Sequence, residues 1–153
     1  MTESLAVTDS SPLIILWQTG RLELLNQVFD RVAIPPAVER EVRPSLRGLP
    51  SWIDQQAALP LLDVDLGPGE REAIALALAL NADYLIVDDL PARRLATRLG
   101  LRITGSAGLL VRARRLGLID AVRPELDAMI ASGLYMSRQV YLEVLGSVGE
   151  AGR

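Results

Sequence analysis

The sequence predicts an α/β fold: one three-layer α/β/α domain with a parallel sheet, occupying residues 1–153. Three observations carry that prediction. Short apolar runs bounded by Gly, Pro or acidic residues alternate with longer stretches of helical period, as in a doubly wound sheet. The chain has 153 residues, 50% of them hydrophobic, which suits one domain with a real core. The 12 Gly and 9 Pro fall mostly between the periodic stretches, where turns belong.

Taken in order, Leu5 to Thr8 reads as the first strand. Helices from Pro12 to Trp17 and from Leu22 to Phe29 follow, broken at Gly20. Val32 to Ile34 is the second strand, stopped by Pro35 and Pro36. Proline is favoured in a first helical turn, so Pro36 opens the helix carrying Glu41, and Arg43-Pro44 ends it. Ser45 to Pro60 is turn-rich and, through Trp52 and Ile53, is expected to lay a short helix on the body.

Gly67-Pro68-Gly69 introduces a helix from Glu70 to Leu80, apolar at nearly every position and so buried on most sides, with Asn81 as its stop. Tyr84 to Val87 is the clearest buried strand. Ala92, Leu95, Ala96 and Leu99 form an i, i+3, i+4, i+7 stripe that Gly100 closes. A last strand, Leu101 to Thr104, leads into a helix from Ala107 to Leu116, ended by Gly117. Two more helices are expected around Pro124 to Ile130 and Ser137 to Leu145, separated by Gly133, with Ser137 as an N-cap.

Composition excludes several chemistries. There is no Cys and no His, which removes zinc sites, cysteine nucleophiles, Ser-His-Asp triads and imidazole acid–base catalysis. The start, Met1-Thr2-Glu3-Ser4, lacks the basic and apolar regions of a signal peptide. The longest apolar run, Ala73 to Leu80, is too short to span a bilayer. A soluble, cytoplasmic chain is expected. All 16 basic residues are arginine and the net charge is −3, so attraction to phosphate has to be local.

The residues with chemistry to offer are acidic, and they stand where this fold turns strand and helix ends toward one crevice. Asp9 follows the first strand and Asp88-Asp89 the buried one, while Glu41 and Glu70 lie on helices. Ligands in open α/β sheets bind outside the carboxyl ends of the strands. Two carboxylates about 5 Å apart repel by roughly 3 kcal/mol at an effective dielectric near 20. Four of them converging therefore require a hard divalent cation such as Mg2+ or Mn2+. Each acid also has an ordinary explanation. Asp9 and Asp88-Asp89 could cap the helices that follow, and Glu70 and Glu72 suit the dipole of a first turn. Glu39 and Glu41 are two apart and cannot face the same site, and the flanking Val38 and Val42 favour Glu41.

Four segments together resemble the PIN-domain ribonucleases, especially the VapC-like toxins of bacterial toxin–antitoxin pairs. They are Val7-Thr8-Asp9-Ser10-Ser11-Pro12-Leu13-Ile14, Ile34-Pro35-Pro36-Ala37-Val38 running into Glu41, Gly69-Glu70-Arg71-Glu72-Ala73-Ile74-Ala75-Leu76-Ala77, and Leu85-Ile86-Val87-Asp88-Asp89. Arg93-Arg94-Leu95-Ala96 and Thr104-Gly105-Ser106-Ala107-Gly108 look like one mostly uncharacterised PIN subgroup.

The resemblance implies an endoribonuclease that hydrolyses RNA phosphodiester bonds with Mg2+ or Mn2+. Asp9, Glu41, Glu70 and Asp88 become the catalytic acids and, with Asp89, the metal ligands; Glu72 can exchange with Glu70, and Asp89 with Asp88. RNA phosphates are expected on Arg93, Arg94 and Arg98, with Ser11 beside them, and Arg112, Arg114 and Arg115 form a second arginine group. A homodimer and a small antitoxin partner are also implied. The competing expectation is a PIN-fold module that binds nucleic acid or protein without cleaving.

Overall fold

A computed structural model describes residues 3–61 and 64–151. Met1 and Thr2, part of the start read above, lie outside the described residues. Five strands form one sheet: β1 (Leu5–Thr8), β2 (Arg31–Ile34), β3 (Ile53–Gln55), β4 (Tyr84–Ile86) and β5 (Ile103–Thr104). Their order is β3-β2-β1-β4-β5, and every neighbouring pair is parallel. The α/β/α fold class is therefore observed.

The order reverses between β1 and β4, a topological switch point where helices leaving adjacent strands part and open a crevice. Val7 pairs with Leu85 and Thr8 with Ile86 across it. Asp9 N–H extends the ladder to the Ile86 carbonyl at 2.9 Å. This register brings the residues after β1 and β4 to the same edge of the sheet.

Eight helices complete the described residues: α1 (Ser10–Gln18), α2 (Glu23–Val28), α3 (Pro36–Val42), α4 (Pro68–Ala79), α5 (Leu90–Arg98), α6 (Ser106–Arg115), α7 (Val122–Ala131) and α8 (Arg138–Ser147). α4 packs on β1 and β4 and beside α5, whereas α6 packs against α1 and α2 and carries α7 and α8 outside it. α3 touches both α4 and α1. Strands β1, β2 and β4 are apolar and almost wholly buried, as a sheet covered on both faces requires. Leu13, Leu16, Leu85, Leu109 and Leu110 are fully buried, each worth ~1.5–3 kcal/mol in area removed from water. Truncating Leu85 to Ala would leave a cavity at the sheet's centre and cost about 2–5 kcal/mol.

Most helix ends fall where the sequence places them. Asn81 adopts a left-handed φ of 51°, and Ala82 N–H returns to the Ala77 carbonyl at 2.9 Å, a Schellman-type ending. Ser137 caps α8, its hydroxyl accepting from Val140 N–H at 3.2 Å. Several boundaries move by one or two residues: α1 already begins at Ser10, α4 at Pro68 and α7 at Val122, and the last strand shortens to Ile103–Thr104.

One expected element is wrong. Within Ser45–Pro60 there is no short helix; Ile53–Gln55 forms β3 on the sheet's edge, with Ile53 opposite Val32 and Gln55 opposite Ile34. Only Ile53 of the three is buried. Asp54 and Gln55 have no preference for strands, so pairing with β2 overrides local propensity.

The tail is fastened at its end. The Glu150 carboxylate accepts from the N–H groups of Val122 at 2.8 Å and Arg123 at 2.9 Å, filling the open donors at the start of α7. Arg123 in turn donates to the Glu150 carbonyl at 2.9 Å. Farther along α7, Glu125 receives a forked pair of hydrogen bonds from Arg21.

Candidate active site

Asp9 is the buried centre of the switch-point crevice, with 5% of its surface exposed. It occupies the N-cap position of α1, yet its side chain makes no capping hydrogen bond. Helix capping therefore does not account for it. Burial pushes its carboxyl from the ordinary 3.8 up to about 7, opposed by the Ser10 backbone N–H and reinforced by the charges of Glu70, Glu41 and Asp89. These three acids, from α3, α4 and the end of β4, form its electrostatic surroundings.

Glu41 is positioned by its neighbours rather than by its own helix. Ser10 donates a hydrogen bond from its hydroxyl to Glu41 Oε1, tying α1 to α3. A Cβ at residue 69 would collide with Glu41 Oε1 and come 2.9 Å from Cδ, so Gly69 is what lets the first turn of α4 meet α3. Glu39, two residues earlier, is paired with Arg43 instead, with Nε to Oε1 at 3.0 Å.

The two glutamates of α4 part company. Glu70 folds back over the turn before the helix: its Oε2 lies 2.5 Å from where a Cβ would stand at Gly67. Glu72 turns the other way and accepts from Ala37 N–H at 3.0 Å, closing an open donor at the start of α3. Arg40 Nη2 stands 3.9 Å from its other oxygen.

The aspartate doublet also divides. Asp88 accepts from Ser106 N–H at 2.8 Å and from the Ser106 hydroxyl at 2.6 Å, and is thus joined to the start of α6. Asp89 caps α5 through Ala92 N–H at 3.0 Å, and it is Asp89 whose charge acts on Asp9. Gly105 makes room for this corner, since a Cβ there would lie 2.5 Å from Asp88 Oδ1 and 2.8 Å from Arg93 Nη1. Arg93 is half-buried and donates to the Val87 carbonyl at 2.9 Å.

The other arginines separate by position along their helices. In a parallel sheet the helices run back from the crevice, so early residues lie near it and late ones far away. Arg94 is exposed at the middle of α5, the fifth of its nine residues, and Arg98 is the last. Four residues at 1.5 Å each set Arg98 about 6 Å, one turn, farther along the helix than Arg94. Arg112, Arg114 and Arg115 all belong to the last turn of α6. Arg112 is engaged there, its guanidinium 4.0 Å from the Tyr84 ring centroid and 5.9 Å from that of Phe29.

Ser11 is exposed and, with Asp88 and Asp89, borders a groove of about 1110 Å³ running from the crevice toward the α7–α8 corner. The acids surround the crevice without closing on one point: among the described residues, no three acidic side chains are gathered as ligands of a single ion. The sequence assigns no role to Ser106 or Gly105, although both lie in quoted motifs. It also assigns none to Tyr135, whose signal was an aromatic residue set among turn residues.

Fold and crevice together define an α/β domain of nuclease type. The chain belongs to the PIN-domain family: the family model DUF3368, described as a PIN domain, matches residues 5–150. PIN domains are in general nucleases and typically bind divalent metal ions. No curated protein matches the chain. Among solved structures, it is similar to a PilT N-terminus domain protein, SSO1118, from the hyperthermophilic archaeon Sulfolobus solfataricus P2. That similarity has 22% identity and a TM-score of 0.46, covering 69% of this chain and 89% of the other. Among the described residues, no helix is long and apolar enough to cross a membrane.

Proposed function

We propose that this PIN domain is an endoribonuclease that hydrolyses RNA phosphodiester bonds with Mg2+ or Mn2+. The observation that carries the reading is Asp9: a buried carboxylate with no capping bond, raised to about 7 by burial and by three acidic neighbours. Such a group is costly to keep charged unless a cation joins it.

The donor set fits that ion. Every candidate ligand is a carboxylate oxygen, and the chain has no His or Cys, which suits a hard divalent cation. Asp9, Glu41, Glu70 and the doublet Asp88-Asp89 would hold it, with Asp89 the member whose charge reaches Asp9. When bound, the ion supplies Lewis acidity for in-line attack of water on phosphorus. The chain's own residues do the rest. The Ser10 hydroxyl fixes Glu41, Ser106 fixes Asp88, and exposed Arg94 would pair with a substrate phosphate.

Cleavage of single-stranded RNA with Mg2+ or Mn2+, lost in excess chelator and in Asp9→Asn, is the expected result. Cleavage that persists in chelator would end the metal reading, and metal-independent binding without cleavage would favour a non-catalytic PIN module. The VapC-like toxin role, a small antitoxin partner, a homodimer and a cytoplasmic location rest on the motif resemblance. Growth arrest on expression, relieved by the product of an adjacent short gene, tests the first two. Sedimentation tests the third, and fractionation the fourth.

A further inference from the structure

The groove bordered by Ser11, Asp88 and Asp89 continues to the turn between α7 and α8, where Gly133, Leu134, Tyr135 and Met136 form its far wall. Tyr135 is 88% exposed. The chain has six aromatic residues, two Trp, three Tyr and one Phe, and most of the others have work within the fold. Phe29 is buried, Tyr84 packs between Phe29 and Arg112, and Tyr141 donates to Asp127 at 2.7 Å. Tyr135 has neither a ring partner nor a hydrogen bond in the described fold. Leu90, on the crevice side of the same groove, is 61% exposed.

The charge of the lining restricts the occupant. Its only charged side chains are Asp88, Asp89 and Arg93, and Arg93 is already bonded to the Val87 carbonyl. A ligand held by ion pairs would find little, and phosphates pressed into the groove would meet two carboxylates. An apolar floor with one free ring accepts the flat face of a nucleobase, while the phosphates stay outward in solvent. We propose that this groove holds a nucleotide of single-stranded RNA next to the scissile phosphate, with its base stacked on Tyr135. The inference rests on the nuclease reading for its substrate, and it adds a base-binding subsite with Tyr135 as its stacking residue.

The test uses the full chain carrying Asp9→Asn, in chelator, with a fluorescent single-stranded oligoribonucleotide, so that binding is read without turnover. Tyr135→Ala should weaken binding at least about fivefold, the lower end of what one stacked base contributes. Tyr135→Phe should bind as well as the parent, because the ring remains. An oligonucleotide with abasic sites should bind the parent more weakly by the same factor, yet bind the Tyr135→Ala protein no more weakly than the intact oligonucleotide does. In the active chain, Tyr135→Ala should raise KM far more than it lowers kcat. Unchanged affinity in Tyr135→Ala, equal losses in the abasic series for both proteins, or no binding by the parent would overturn the proposal. An unchanged RNA affinity together with capture of a peptide in the groove would assign it to a protein partner instead. The two readings fail separately. Tyr135-dependent binding without any cleavage would remove the nuclease and leave the subsite; metal-dependent cleavage indifferent to Tyr135 would do the reverse.

Discussion

Both carboxylate oxygens of Asp88 are engaged by Ser106, one by its N–H at 2.8 Å and the other by its hydroxyl at 2.6 Å. Ser106 is fully buried, so the pair links the end of β4 to the start of α6 in a place that water reaches poorly. Hydrogen bonds to a charged group contribute about 1.5–3 kcal/mol.

Ser106→Ala should therefore lose roughly that amount of stability, and Ser106→Thr, which keeps the hydroxyl, should recover most of it. Urea denaturation of the three proteins measures the effect. If Asp88 also serves the reaction, kcat should fall in the alanine protein and return with threonine.

Without divalent metal, the protein should become less stable as pH rises. The folded state holds the Asp9 proton to about 7, whereas the unfolded chain releases it near the ordinary carboxylate value of 3.8. Between those values the folded state binds more protons, so the contribution is full below about 4 and is lost as pH passes through about 7. The whole span corresponds to about 4 kcal/mol. Denaturation in chelator at several pH values should show this slope, and Asp9→Asn should flatten it. A metal-free protein equally stable at both ends would contradict the assignment.

Divalent metal should reverse the order of those two proteins. At a hundredfold excess over Kd, a ligand that binds only the folded state stabilises it by about 2.7 kcal/mol. The parent should gain that much from Mg2+ or Mn2+, and Asp9→Asn much less. Thermal melts across a metal series decide it; equal gains in both proteins would separate Asp9 from the ion.

The arginines should sort by their distance from the crevice. Arg94→Ala should reduce the log–log salt slope of RNA binding by about 0.7, the share of one phosphate on a single strand. Arg98→Ala, one turn farther from the crevice on α5, should leave the slope unchanged. Arg112→Ala should also leave RNA binding alone but cost about 0.5–2 kcal/mol of stability, through loss of its contact with Tyr84. A salt slope altered by Arg98→Ala would extend the RNA path along the whole of α5.

Much of this architecture is legible in the sequence because it is locally written. Leu5–Thr8 and Tyr84–Ile86 are apolar runs ending at acidic residues, and α5 carries a clear helical stripe. β3 was not legible, since Asp54 and Gln55 become strand only by pairing with β2. Among the acids, Asp9 and Glu41 could be picked out by their surroundings. The glycine turn before α4 favours Glu70 over Glu72, but what Glu72 does instead, and how Asp88 differs from Asp89, could not be read. Each division depends on a backbone N–H brought in by another element or by the following turn: Ala37 for Glu72, Ser106 for Asp88, Ala92 for Asp89. The remoteness of Arg98 and Arg112 was within reach, because helices in a parallel sheet run away from the strand ends.

The Glu150 clamp gives one residue beyond α8 leverage over a surface it does not touch. Glu150 anchors the start of α7, and α7 ends at the corner that carries Tyr135. The acidic crevice, by contrast, is assembled from segments ending at Ser106. A stop codon placed just before Glu150 would therefore divide the molecule into an untouched half and an unmoored one. Such a variant would keep its carboxylates in register while the groove's far wall lost its hinge pin.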